Sequence, residues 1–439
     1  MNRAKTCARA PEAIPADNSG AKNVLYFAEN ALSSIQGGGI VAYAVLKGLP
    51  PEKLLGFFEY RSITPTPEYA EQFIWLGLWR RNSLAKRVAD YRLGHNKWWT
   101  RLFLDGILSV RAGVHIERDF QFVLQQIRKR GFKPELVYFS GLSLRYLQLA
   151  VMAAEYFDLP MVVLHMDDWM AVDSAARGLW GGYWRSRILK MMRRAAKRSL
   201  SNTTNSPSLA RVVTEMTGFE HYPANNCCSD MMEFLPDAPL PVENDIPVIT
   251  YAGALILNLQ GETIVKPIAG AVAELNAEGF PVHLHIYTPW EFAPIANSIA
   301  MPGAIFYKGQ VNRATLAKAF WDSDFLMTTV TFRPQNLRLF KHSLSTKLSE
   351  YLSVGKPVIS AGHPDWHLHQ YVLENRCGWA INLDQDYKRT AIKEELKRIL
   401  STPKIELRRI GRQNRQLWER EHDVKVKARH ARSVIGLSS

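Results

Sequence analysis

Short, uninterrupted apolar runs alternate along this chain with longer stretches whose apolar residues recur at helical spacing. Asn23 to Ala28 (NVLYFA) is the first run. Continuous rather than alternating hydrophobicity predicts a strand covered on both faces. Gly37, Gly38 and Gly39 follow, and then the helix-like stretch IVAYAVLKGL. Strand, glycine-rich turn and helix form the opening unit of a parallel α/β domain. Pro134–Ser140 and Pro160–His165 predict two more buried strands, with a helix over Arg145–Phe157 between them and a basic helix over 183–200.

The rhythm breaks at Leu235–Pro247 (LPDAPLPVENDIP), where four prolines and three acids leave neither period intact. It resumes with strands over Pro247–Tyr251, His283–Tyr287, Ala304–Tyr307, Phe325–Val330, Pro357–Ser360 and Trp379–Leu383. Two βα-rich halves around a linker predict two Rossmann-like, doubly wound domains facing a central cleft. The expected division is a flexible leader (1–20), a first domain (21–238), a linker (239–247) and a second domain (248–418). A C-terminal helix (419–439) is expected to cross back to the first domain.

Composition agrees with this picture. At 439 residues the chain exceeds what one core ordinarily organises, and 47% hydrophobic with 11% aromatic content supplies two. No stretch approaches the roughly 18 apolar residues of a membrane span. The basic start lacks an apolar centre, which sets aside a secretory signal. Cys7, Cys227, Cys228 and Cys377 make no CxxC pair or Cys/His cluster. Neither a zinc site nor a disulfide framework is indicated, and a reducing cytoplasm is the simplest compartment.

Charge narrows the partners. The 55 Lys and Arg outnumber 41 Asp and Glu, a net +14 that favours a phosphate-bearing substrate, an anionic membrane face or nucleic acid. Nucleic acid is set aside because no helix-turn-helix, zinc or single-strand-binding signature accompanies the charge. His95–Leu108 (HNKWWTRLFLDGIL) mixes Lys97 and Arg101 with Trp98 and Trp99. Such a helix suits peripheral contact with an anionic membrane, with Arg185–Arg198 on the same face. A solvated basic surface over core tryptophans fits the same residues.

The chemistry concentrates in Ser343–Ile359 (SLSTKLSEYLSVGKPVI). Ser343, Ser345 and Thr346 precede a predicted helix, TKLSEYLSV, ended by Gly355. Hydroxyls there satisfy free amides, and those amides with the helix dipole make a ready anion site. Lys347 lies in the first turn, where a cation opposes the dipole unless an anion sits nearby. Glu350 lies one turn on, on the same face. Two arrangements fit: a diphosphate at the helix start with a ribose at Glu350, or a surface helix carrying a capped Lys–Glu pair.

The segment resembles the donor-binding motif of family-4-like glycosyltransferases with the GT-B fold, in which K-x-x-E-x-x-x-x-G-x-P-V-I stands in the second domain. Gly37-Gly38-Gly39 is similar to that family's glycine-rich loop. His165-Met166-Asp167-Asp168-Trp169 is similar to the H-x-D-D-W strand end of a subset. Thr250-Tyr251-Ala252-Gly253 resembles the first strand and turn of the second domain, and Tyr307-Lys308-Gly309-Gln310-Val311 its Y-x-G-x-V element.

The resemblance implies a retaining, metal-independent enzyme using a UDP-, GDP- or dTDP-sugar and a glycan or lipid-diphosphate acceptor, in surface polysaccharide or glycolipid synthesis. It implies catalytic roles for His165, Lys347 and Glu350, with Glu350 at the ribose. It places Gly37, Gly38, Gly39, Gly253, Ser343, Ser345 and Thr346 around the donor, with Arg333 and Arg338 as nearby cations, and Asp167 and Asp168 suit the acceptor. Helix capping competes for Asp168. The chain also departs from the pattern: His342 stands where relatives carry a first glutamate, and Ala254 and Gln260 where they carry Arg and Lys. Lys347, Arg333, Arg338 and Lys341 are the cations left for phosphate, and a weak or inactive GT-B scaffold is the alternative.

Overall fold

The structure, a computed structural model, describes residues 20–33, 37–59, 65–76, 116–141, 143–168, 181–235, 244–256, 264–329, 340–383 and 389–438. The first sheet contains β1 (Val24–Ala28), β2 (Leu54–Phe58), β3 (Phe73–Trp75) and β4 (Leu136–Gly141). It is completed by β5 (Met161–His165), β6 (Ser199–Thr204) and β7 (Tyr222–Pro223), in the order β3-β2-β1-β4-β5-β6-β7. The second contains β8 (Val248–Ala252), β9 (His283–Tyr287), β10 (Ile305–Gly309), β11 (Phe325–Thr329), β12 (Val358–Gly362) and β13 (Gly378–Asn382). Its order is β10-β9-β8-β11-β12-β13, and neighbours in both sheets run parallel.

Strand periodicity sorts each apolar run onto two cores. Val24, Tyr26 and Ala28 of β1 enter one core, and Leu25 and Phe27 the other. In β8, Ile249 and Tyr251 face one side and Ala252 the other. Burial of each such Val, Leu, Ile or Phe contributes about 1.5–3 kcal/mol, which is why these runs carry no polar alternation. Both sheets reverse strand order, between β1 and β4 and between β8 and β11, and such reversals open a crevice at the carboxyl ends of the strands. The two-sheet α/β architecture expected from the sequence is present.

Every strand expected in the second half is found, whereas β2, β3, β6 and β7 lay outside the sequence reading. β6 (SLSNTT) has one apolar residue, and its hydroxyls bond neighbouring carbonyls. The Thr203 hydroxyl donates to the Val163 carbonyl at 3.1 Å, and that of Thr204 to the Ser206 carbonyl at 2.9 Å. A strand satisfied in this way carries no hydrophobic signal. A second difference concerns Gly37–Gly39, expected as a turn. They are the first turn of the helix Gly37–Leu46 itself. A Cβ at Gly39 would stand 2.4 Å from the Ala31 carbonyl oxygen, so helix and preceding loop pack backbone to backbone.

The chain end touches both halves. The helix Lys404–Glu421 packs on the helix Thr346–Val354. Ala431, Ile435 and Leu437 then join a core of the first sheet, and the Lys22 amide donates to the Ile435 carbonyl at 2.8 Å. Among the described residues, no helix is long and apolar enough to cross a membrane.

Candidate functional site

The helix Thr346–Val354 starts as the sequence predicts. Ser345 is its N-cap, its hydroxyl accepting from the Lys347 amide at 3.3 Å, and Gly355 closes it in the left-handed region with φ 70°. Leu348 to Val354 are all buried, so this is a core helix and the surface-helix arrangement does not hold. Ser349 donates to the Cys228 thiol at 3.1 Å, and Ser353 accepts from the Met231 amide at 3.2 Å.

Lys347 and Glu350 do not pair with each other in the way the spacing suggests. Lys347 runs beneath the end of β8, its Nζ 4.9 Å from the centre of the Tyr251 ring. Gly253 makes this path available, because a Cβ there would lie 2.1 Å from Lys347 Cε, and its φ of 144° disfavours any side chain. Burial pushes the amine down to about 8, against the pull of the Glu350 charge. Glu350 instead meets Arg313, Nη1 to Oε1 at 2.5 Å, with side-chain exposures of 11% and 7%.

Arg313 is the residue the sequence reading missed. It opens the helix Arg313–Trp321 just after β10, behind Asn312, whose side chain accepts from the Thr315 amide at 2.8 Å. Its signal was the one that marked Lys347, a cation in a first helical turn where the dipole opposes it.

The facing side comes from the first sheet. His165 ends β5 fully buried, its ring 5.4 Å from that of His221, and burial with His221 beside it holds the imidazole at about 3. It is therefore neutral at ordinary pH. Two residues on, Asp167 accepts from Ser343 at 2.5 Å and from Asn205 at 3.1 Å. Burial raises its carboxyl to about 7, with the Ser343 bond opposing the rise and Asp168 assisting it.

Among the described residues, this contact is one of four that bind the loop before the helix to the first half. The Ser206 hydroxyl donates to the His342 carbonyl, and Ser208 meets His342 Nδ1 at 2.8 Å. Asn226 Nδ2 donates to the Leu344 carbonyl at 2.5 Å. His342 thus turns toward Ser208, with its pKa lowered chiefly by burial.

The structure thus joins Ser343 to Asp167 and Lys347 to Gly253, and sets the glycine-led helix Gly37–Leu46 against the helix Thr346–Val354. Asp168 is half-buried, and Thr346 opens the helix. Arg333, Arg338, Gln260, Trp169 and the Trp98–Trp99 region lie outside the described residues. Asp322 and Asp324 serve local bonds, to Lys318 and to the Val248 amide. Among the described residues, no group of three or more His, Cys, Asp or Glu is arranged to hold a metal.

Solved structures share this architecture. The sucrose-phosphate synthase of Thermosynechococcus elongatus aligns at 12% identity with a TM-score of 0.57, over 94% of this chain and 97% of that one. The α,α-trehalose 6-phosphate synthase of Burkholderia multivorans aligns at 13% identity and a TM-score of 0.58, over 94% and 98%. Anabaena HepE, solved with UDP and glucose, aligns at 10% identity and a TM-score of 0.53, over 94% and 99%. At such identities the likeness is one of fold, and the fold is GT-B. No protein-family model matches the sequence, and no curated protein does.

Proposed function

We propose that this chain is a family-4-like glycosyltransferase, of the subset with an H-x-D-D-W strand end, that moves a sugar from a nucleotide-sugar to a glycan or lipid-linked acceptor. The observation that carries the reading is a helix start that holds buried Lys347, pairs Glu350 with Arg313 and joins the first sheet through Ser343 and Asp167. HepE with bound UDP-glucose, a structure of the same fold, adds support for a nucleotide-sugar donor.

The chemistry follows from charge. As the bond from the sugar carbon to the diphosphate breaks, the electron pair leaves on the phosphate. The first-turn amides around Ser343, Ser345 and Thr346, with Lys347, stabilise that charge. Lys347, at about 8, is mostly protonated at neutral pH and acts as a point charge. Glu350 accepts from the ribose hydroxyls, and Gly253 leaves room for Lys347. Neutral His165 orients a hydroxyl of the transferred sugar, and Asp167 and Asp168 serve the acceptor. Gly37, Gly38 and Gly39, whose first-turn amides lack intrahelical partners, approach the phosphates.

The same proposal takes transfer to be retaining and metal-independent, in surface polysaccharide or glycolipid synthesis at the cytoplasmic membrane face. Arg185, Lys190, Arg193 and Lys197 form an exposed basic row that suits anionic lipid. Charge-neutral variants of that row should sediment less with anionic vesicles; equal sedimentation defeats the membrane part.

A panel of UDP-, GDP- and dTDP-sugars, with and without EDTA, tests the whole. Nucleotide release and thermal stabilisation by one of them, both lost in Glu350→Ala, are expected. A folded protein that answers to no donor instead favours the scaffold reading, which His342 facing Ser208 in place of a glutamate supports.

A further inference from the structure

We infer that Arg313 is a positioning residue of the nucleotide site, holding Oε1 of Glu350 so that Oε2 is presented to the ribose of a ribonucleoside diphosphate. The inference rests on the proposed role of Glu350 and concerns a residue that role does not require.

A buried ion pair is a poor way to stabilise a fold, since desolvating two charges cancels most of their attraction. The Arg313–Glu350 pair is nevertheless almost wholly withdrawn from water, with exposures of 11% and 7%. The guanidinium is also clamped on its other side. Its Nη2 lies 2.8 Å from Met231 Sδ, and its Cζ stands 5.4 Å over the Phe234 ring. Both belong to the single turn Met231–Phe234, which packs against the helices Arg313–Trp321 and Thr346–Val354 together.

This clamp leaves Arg313 Nε buried without a hydrogen-bond partner. An arginine arranged for its own satisfaction would use that donor, because an unmet buried one costs about 1–3 kcal/mol. Its orientation favours a single outcome: one carboxylate oxygen fixed and the other left to accept. Arg313 also ties the segment after β10 to the helix of Glu350. With Lys347 at the same helix start, two cations flank one carboxylate, and the residual positive charge matches a diphosphate beside a diol.

Titration of the full-length protein with UDP, GDP, dUDP and dGDP tests the assignment. Wild type should bind the better ribonucleotide at least about 10-fold more tightly than its 2′-deoxy form, the size of one bond to a charged acceptor. Glu350→Gln and Arg313→Met should each bring that ratio toward one, and Arg313→Lys should restore part of it. A uniform loss of affinity in Arg313→Met with the ratio intact makes Arg313 merely structural and overturns the inference. If Arg313→Met does not fold, an unchanged ratio in Arg313→Gln overturns it equally. A wild type that binds neither these four nor dTDP overturns the proposed function itself. Wild-type binding with equal ribo and deoxy affinities removes the ribose role and leaves the donor site standing.

Discussion

Each half of the molecule contributes a helix to the contact between them, and only one of the two helix starts carries charge. The helix Gly37–Leu46 (GGGIVAYAVL) has no acidic residue in its first turn and no basic residue in its last. Its glycines are spent within the chain, since a Cβ on Gly38 would strike the Asn30 side chain and one on Gly39 the Ala31 carbonyl. The helix Thr346–Val354 has a hydroxyl cap, Lys347 under Gly253 and Glu350 held by Arg313. The two helices touch, so the asymmetry lies within one crevice. Related topology therefore repeats the scaffold without repeating the chemistry, and function must be argued from residues.

The largest expected effect lies on the charged side. Lys347→Ala should lower kcat/KM for nucleotide release by about 100- to 1,000-fold, the usual scale for removing a charge-stabilising donor. Gly253→Ala should lose about 10-fold or more although it removes no functional group, because its new Cβ occupies the space of Lys347 Cε. A Gly253→Ala protein as active as wild type would show that the lysine acts from elsewhere.

The uncharged side should respond in stability first. Gly39→Ala places a Cβ against backbone that cannot swing away, and overpacking of this kind costs about 1–3 kcal/mol. The melting temperature should fall by several degrees, with a smaller loss of kcat/KM than in Lys347→Ala because the backbone amides that approach the phosphates are kept. A fall in kcat to the level of Lys347→Ala would erase the comparison and make both helix starts catalytic.

These residues also show what the sequence could disclose. The strands of the second sheet were legible because burial on both faces forbids polar alternation, and the cap, lysine and glutamate of one helix lie within a single turn. β6 was silent because serine, threonine and asparagine satisfy themselves on neighbouring carbonyls. Arg313 carried a first-turn signal, but its pairing was silent because its partner lies 37 residues away and only the packing of two helices brings them together. The bonds from Ser206, Ser208, Asn226 and Asp167 to His342–Leu344 cross between halves, and no local period encodes them. Asp167 was read as part of a motif, but nothing local showed that it would meet Ser343.

That contact yields the smallest prediction, one of pH. Asp167 titrates near 7 when folded against an ordinary 3.8. Between those values the folded state keeps a proton that the unfolded chain gives up, so this group's contribution to stability falls as pH rises from about 4 through 7. Buried His165 acts oppositely. Held at about 3 against 6.5, it costs stability as pH drops below 6.5, so the wild-type profile mixes both slopes. Asp167→Asn removes only the carboxylate slope and retains an oxygen to accept from Ser343. The melting temperature of the variant relative to wild type should therefore climb from pH 5 to pH 8. Allowing for solvent at a half-buried group, the climb is about 1 kcal/mol, or roughly 2–4 °C. A flat difference would mean that Asp167 stays ionised across the range, and that the two halves meet at Ser343 through a charged rather than a proton-sharing bond.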